Sequence, residues 1–169
     1  MAQGKSIVDY AMRQEREGMT FYNKASRKFE DKTLKKLFAK LAGEEKKHLE
    51  TFKSLKDKAQ KKNVNEYFRS TGVDESLEAL IKEGLFPDDV MSKKIDKIKS
   101  VADVCALAMK AEKDAILLYS ELAKVSIDKE QKKVFTQMIK EEKSHIAMVS
   151  AVRADYDPAY AAIKFGRFF

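Results

Sequence analysis

The sequence predicts an all-α protein, a bundle of four long helices arranged as two hairpins. Three observations predict it. Only six glycines and two prolines punctuate 169 residues, of which 36 % are charged and 44 % hydrophobic. Sheets need turn residues far more often than that, whereas long amphipathic helices do not. Four stretches place apolar side chains three and four residues apart, the period of one helix face. Finally, a shift of 97 residues lays the first half of the chain on the second: Ala11, Met12, Tyr22, Phe38, Glu44 and Lys46 recur as Ala108, Met109, Tyr119, Phe135, Glu141 and Lys143. An internal duplication of one helical hairpin predicts a pseudo-two-fold bundle.

The first helix, over about 6–29, opens at Ser6, a good cap for orphan N–H groups, with acidic Asp9 three residues on. Ala11, Glu15, Met19 and Tyr22 fall on one stripe of it, so a glutamate stands among apolar positions. Asp31 is placed to cap a second helix over about 31–60, whose buried face reads Leu34, Leu37, Phe38, Leu41, Glu45, His48, Leu49 and Phe52. Residues about 62–99 carry Asn63, Asn65, Gly72, Gly84 and Pro87, so helices there should be short, with Asp74–Leu85 the best candidate. This connection far exceeds the few residues that join neighbouring helices in bundles. A crossover of that length lets the third helix start at the same end as the second. The third helix, over about 100–126, is capped by Ser100 with Asp103 in its first turn, and carries Val104, Leu107, Ala108, Glu112, Leu118, Tyr119 and Leu122. The fourth, over about 128–155, carries Val134, Phe135, Met138, Glu142, His145 and Val149, and should end near Pro158. The segment 156–169 is too aromatic for a solvated tail and is expected to pack on the bundle or on a partner subunit. The whole chain, 1–169, reads as one domain.

Composition removes several function classes. A single cysteine, Cys105, excludes a disulfide framework and any four-cysteine metal site. No apolar run approaches a membrane span and the N-terminal residues lack a signal-peptide core, so the expected location is cytoplasmic, with no membrane partner. The net charge of +7 raises nucleic acid as a partner, but the lysines alternate with Asp and Glu along every helix. That distribution describes solvated helix faces better than a nucleic-acid site.

The chemistry lies in two short stretches, Glu44-Glu45-Lys46-Lys47-His48 and Glu141-Glu142-Lys143-Ser144-His145, which hold both histidines of the chain. Glu45 and His48, like Glu142 and His145, are three residues apart and share a helix face within one turn. Glu15 and Glu112 each stand 30 residues upstream of the paired glutamate. Four carboxylates and two imidazoles converging in a core would be intolerable without cations to neutralise them. Carboxylate oxygens with one imidazole per metal suit iron or manganese. Glu45 and Glu142, each beside a histidine, can bridge two metals, while Glu15 and Glu112 cap one each. One Glu-x-x-His is a common surface pair. Two of them, each with an upstream glutamate on an apolar stripe, are far less expected by chance. Tyr22 and Tyr119 follow the capping glutamates by seven residues, two turns along the same face, and could hydrogen-bond to the ligands. Glu44 and Glu141 could orient the histidine rings or simply face solvent. Cys105 reads as a small core residue and the methionines as core filler.

These residues resemble a known family. The pattern A-x3-E-x2-G-x2-F-Y over Ala11–Tyr22, L-A-x-E-E-x2-H over Leu41–His48, and their echoes 97 residues later are similar to the rubrerythrin branch of the ferritin-like superfamily, over about 6–60 and 100–155. The resemblance implies a ferritin-like four-helix bundle holding two Fe ions through Glu15, Glu45, His48, Glu112, Glu142 and His145, with Mn or Zn able to replace them in isolated protein. It implies reaction with a small oxidant, peroxide or oxygen, and a homodimer. Rubrerythrins proper carry a four-cysteine rubredoxin-like domain, which this chain cannot form, so electrons would come from a separate donor such as a rubredoxin-like protein. They also place an extra glutamate three residues after the third-helix ligand. Here that position is Ala115 and its duplicate is Gly18, which suggests open space beside the metals. A ferroxidase or iron-storage protein is the alternative, distinguished by a large closed assembly. A DNA-protecting mini-ferritin, prompted by the charge, fits less well, because its metal sites are shared between subunits and this chain carries all six residues itself.

Overall fold

A computed structural model of the chain describes residues 7–61, 90–126 and 129–166. All regular structure among them is helical: α1 (Ile7–Lys28), α2 (Lys32–Lys61), α3 (Val90–Lys97), α4 (Val101–Val125), α5 (Lys129–Tyr156) and α6 (Pro158–Lys164). The four long helices pack as two hairpins, α1 with α2 and α4 with α5, laid against each other. Ser6 and the segment Asp74–Leu85 lie outside the described residues.

The helix ends follow from local chemistry. Asp31 Oδ1 accepts from the N–H groups of Thr33 (2.7 Å) and Leu34 (2.9 Å) at the start of α2. Ser100 caps α4, its Oγ accepting from Asp103 N–H at 3.0 Å and donating to Asp103 Oδ2 at 2.6 Å. Each cap satisfies donors that no helical carbonyl can reach, and is worth ~1 kcal/mol. Near the C-terminus, α5 stops at Tyr156 because Pro158 cannot continue it. Asp157 then caps α6, accepting from Tyr160 N–H at 3.0 Å and from the Arg153 guanidinium at 3.0 and 3.2 Å.

The core falls into two clusters. One gathers Val8, Ala11 and Met12 of α1, Leu49 and Phe52 of α2, Leu118, Tyr119 and Leu122 of α4, and Phe135 and Met138 of α5. The other gathers Phe21, Tyr22 and Ala25 of α1, Leu34, Phe38 and Leu41 of α2, Val104, Cys105 and Ala108 of α4, and Val149 of α5. The starts of α2 and α4 therefore share one end of the bundle, so the two helices run parallel and the chain crosses the bundle's length between them, as its long connection allows. Full burial of residues such as Phe38, Phe52 and Leu41 stabilises the fold by about 1.5–3 kcal/mol each. Cys105 and the buried Met12, Met109 and Met138 are core residues, as their apolar settings suggested.

Within the crossover region the structure shows a helix that periodicity missed. α3 spans only two turns, too few for a hydrophobic repeat to register, yet it docks on α1 by burying Ile95, with an exposed Lys24–Asp96 ion pair at 2.8 Å beside it. Among the described residues of the C-terminal segment, Tyr160 makes the main contact with the bundle. Tyr160 lies against the second cluster, its hydroxyl bonded to Ser150 Oγ at 2.7 Å and its ring under the Arg153 guanidinium, whereas Ile163 and Phe165 stay exposed. No described helix is long and apolar enough to cross a membrane.

Candidate metal centre

The six predicted residues interrupt the core between its two clusters. Glu15 lies between Met12 and Phe21 of α1, Glu45 and His48 between Ala42 and Leu49 of α2, Glu112 between Met109 and Leu118 of α4, and Glu142 and His145 between Met138 and Val149 of α5. All six are buried, none more than 4 % exposed. They form two overlapping groups, each able to hold a metal ion: Glu15, Glu45, His48 and Glu142, and Glu45, Glu112, Glu142 and His145. Within each group the donor atoms lie within 4.8 Å of one another.

Glu45 and Glu142 belong to both groups and divide their oxygens between them. Glu45 sets Oε2 at 3.8 Å from His48 Nδ1 and Oε1 at 3.3 Å from His145 Nδ1. Glu142 sets Oε1 at 3.0 Å from His48 Nδ1 and Oε2 at 2.8 Å from His145 Nδ1. Glu15 Oε2 is 3.3 Å from His48 Nδ1 alone, and Glu112 Oε1 is 3.5 Å from His145 Nδ1 alone. Glu45 and Glu142 thus each approach both histidines, whereas Glu15 and Glu112 approach one each. Although these atoms are close, Glu15 Oε2, Glu45 Oε1, both oxygens of Glu142 and both histidine Nδ1 atoms have no hydrogen-bond partner among the described residues. A buried polar atom without a partner costs about 1–3 kcal/mol, and six in one place are the mark of a site built for cations. The residues fit hard-to-borderline divalent metals such as manganese or iron.

The outer nitrogen of each ring is tied across the bundle. His48 Nε2–H donates to Glu141 Oε2 at 2.8 Å, and His145 Nε2–H donates to Glu44 Oε2 at 2.9 Å. A carboxylate can only accept, so each Nε2 carries a proton and Nδ1 is the nitrogen left to serve a metal once its own proton is displaced. Glu44 and Glu141 do orient the rings, but each serves the histidine of the other hairpin and not the one four residues along its own helix. The rings themselves lie nearly parallel, 5.7 Å apart with an interplanar angle of 21°. Gln137 Nε2 donates to the other oxygen of Glu141 at 2.9 Å. Partial burial opposes the Glu141 charge, but Gln137 and His48 outweigh it and hold the carboxyl below its ordinary value.

Charge in the cluster is balanced by protons when no cation is present. Burial, reinforced by the Glu45 charge, pushes the Glu15 and Glu112 carboxyls well above their usual range. Burial also opposes a charge on the imidazoles, yet the surrounding carboxylates overcome it, raising His48 strongly and pushing His145 up to about 12. Against its own burial, Glu45 is held low by His145 and His48. Cations taking the place of those protons would provide the same neutralisation.

The two tyrosines are not equivalent. Tyr22, fully buried, donates its hydroxyl to Glu112 Oε1, a carboxylate of the other hairpin. Tyr119, equally buried, has no partner for its hydroxyl among the described residues. Nor is there open space at Gly18, because the side chain of Glu45 occupies it. Beside His145 a cavity of about 330 Å³ opens between α2 and α5, lined by Lys40, Glu44, Lys47, Glu141, Ser144 and Met148.

With four carboxylates and two histidines brought together on a four-helix bundle, comparison with known proteins decides the family. The rubrerythrin family profile matches residues 6–153, nearly the whole bundle. The chain belongs to the rubrerythrin family. Its fold is similar to that of a crystal structure from Thermotoga maritima assigned as a ferritin-like diiron-carboxylate protein. The TM-score is 0.63 and the identity 23 %, over 88 % of this chain and 94 % of that one. No curated protein matches.

Proposed function

We propose that this chain is a di-iron carboxylate redox enzyme of rubrerythrin type, which reduces peroxide, or oxygen, with electrons from a separate donor. The single observation that carries the reading is the set of six buried donor atoms without hydrogen-bond partners, shared between two overlapping groups of carboxylates and imidazoles. Family membership supports it. Glu15 and His48 would hold one iron and Glu112 and His145 the other, with Glu45 and Glu142 bridging.

Bound iron would supply the two electrons that cleave the O–O bond of peroxide, which with two protons yields two waters. The remaining work falls to the chain. Glu141 and Glu44 hold the Nε2 protons and so keep both Nδ1 lone pairs turned inward. Burial and the neighbouring Glu112 charge push the Tyr22 hydroxyl well above its ordinary value, so it stays a neutral donor holding its proton against Glu112 Oε1. Apolar clusters above and below exclude water from both ends of the centre. The cavity beside His145 offers a small molecule a route to its edge.

The test is stopped-flow oxidation of anaerobically Fe(II)-loaded protein, mixed separately with peroxide and with oxygen. Two irons per chain and fast oxidation by peroxide, lost in Glu45→Ala and His145→Ala, are the expected results. Fast oxygen consumption with iron retained in a large assembly would assign the protein to iron storage instead. Fewer than one metal per chain after loading would remove the di-metal centre altogether.

A further inference from the structure

Gly18 stands one turn after Glu15, in the interior of the 22-residue helix α1, where glycine is the least favourable choice short of proline. A β-carbon built on it would find its three nearest neighbours in a single side chain: Glu45 Oε2 at 3.3 Å, and Glu45 Cδ and Cγ at 3.4 Å. These are tighter than ordinary carbon contacts, so the carboxylate would have to retreat by a few tenths of an ångström. In a hydrophobic core such a shift matters little. In a metal centre it does not pass unnoticed, because coordination distances hold to within about 0.2 Å. Glu45 is buried and has both oxygens committed, Oε1 toward His145 and Oε2 toward His48. The oxygen in contact with Gly18 is Oε2, on the His48 side.

Two comparisons within the chain sharpen this. Gly43 lies in α2 with nothing within 4 Å of a β-carbon, so its glycine answers to no neighbour. The duplicate of Gly18, 97 residues on, is Ala115, so the repeat itself carries no demand for glycine. Only the hairpin that receives Glu45 has one.

We infer that Gly18 positions the bridging carboxylate of Glu45, and thereby sets the affinity of the Glu15–His48 half of the centre without touching a metal. This rests on the di-metal reading above. In Gly18→Ala, one metal binds as in the parent protein and the second binds about tenfold more weakly, as for other residues that hold a ligand in place. The experiment titrates metal-free protein with Co(II), followed by visible absorption and calorimetry, for the parent, Gly18→Ala and the control Gly43→Ala. [15N]-histidine labelling reports the two Nε2–H groups separately. Both variants should melt, metal-free, no lower than the parent, since alanine is the better helix former at either position. Gly43→Ala should bind two Co(II) as the parent does. Gly18→Ala should lose affinity for one, with the Co(II)-dependent shift of the His48 resonance moved to higher concentration and that of His145 unchanged. Parent-like binding of both ions by Gly18→Ala, equal weakening of both, or a lower metal-free melting temperature would overturn the inference while leaving the centre itself standing. A parent protein that binds fewer than two Co(II) would overturn both.

Discussion

The cross-bundle tie of the histidines makes a prediction that the chain order alone would get backwards. Glu44 shares α2 with His48, four residues away, yet its carboxylate accepts from His145 Nε2 at 2.9 Å, while Glu141 accepts from His48 Nε2 at 2.8 Å. Glu44→Gln should therefore disturb the His145 half and spare the His48 half. The magnitude follows from exposure. The Glu44 side chain is 28 % exposed and that of Glu141 44 %, so neither ion pair adds more than ~1 kcal/mol to folding. Loss of the carboxylate that orients a ligand ring lowers metal affinity by about 10–100-fold, or roughly 1.4–2.8 kcal/mol. The binding effect exceeds the folding effect. Zn(II)-loaded protein labelled with [15N]-histidine gives only two imidazole sets, assigned through His48→Gln and His145→Gln. In Glu44→Gln the His145 Nε2–H resonance should shift and broaden as its proton begins to exchange, with His48 unmoved; Glu141→Gln should do the reverse. A shift of the same-helix histidine, or an unchanged spectrum with unchanged Zn(II) affinity, would refute the assignment.

Other consequences are open to measurement. Tyr22→Phe removes a buried hydrogen bond to Glu112 and should destabilise the metal-free protein by about 1–2 kcal/mol, whereas Tyr119→Phe removes a hydroxyl with no partner and should be neutral or stabilising; paired urea melts distinguish them. Metal uptake must displace the protons that burial keeps on Glu15 and Glu112 and those held on the inner histidine nitrogens, so affinity should rise with pH. Calorimetric enthalpies should also scale with the ionisation heat of the buffer; enthalpies independent of buffer would contradict the raised carboxyls. Burial pushes the Cys105 thiol up to about 11, so a disulfide reagent at pH 8 should label the unfolded chain at once and the native protein only at its rate of opening; rapid native labelling would show that the core cluster around Cys105 is looser than described.

What the sequence determined by itself is everything that depends on neighbours three or four residues apart, or on the repeat. Helix periodicity marked the buried faces of α1, α2, α4 and α5, and Asp31 and Ser100 declared their caps, because a cap bonds within its own first turn. The six convergent residues were legible because Glu-x-x-His is a local geometry and the 97-residue shift doubled the signal. Contacts between helices were decided by the tertiary structure alone. Which glutamate holds which histidine, why Tyr22 has a partner and Tyr119 none, and what fills the space at Gly18 all depend on how far one helix is displaced along another. That displacement is set by the sum of many side-chain contacts across the two core clusters and by no single residue, so no local pattern encodes it.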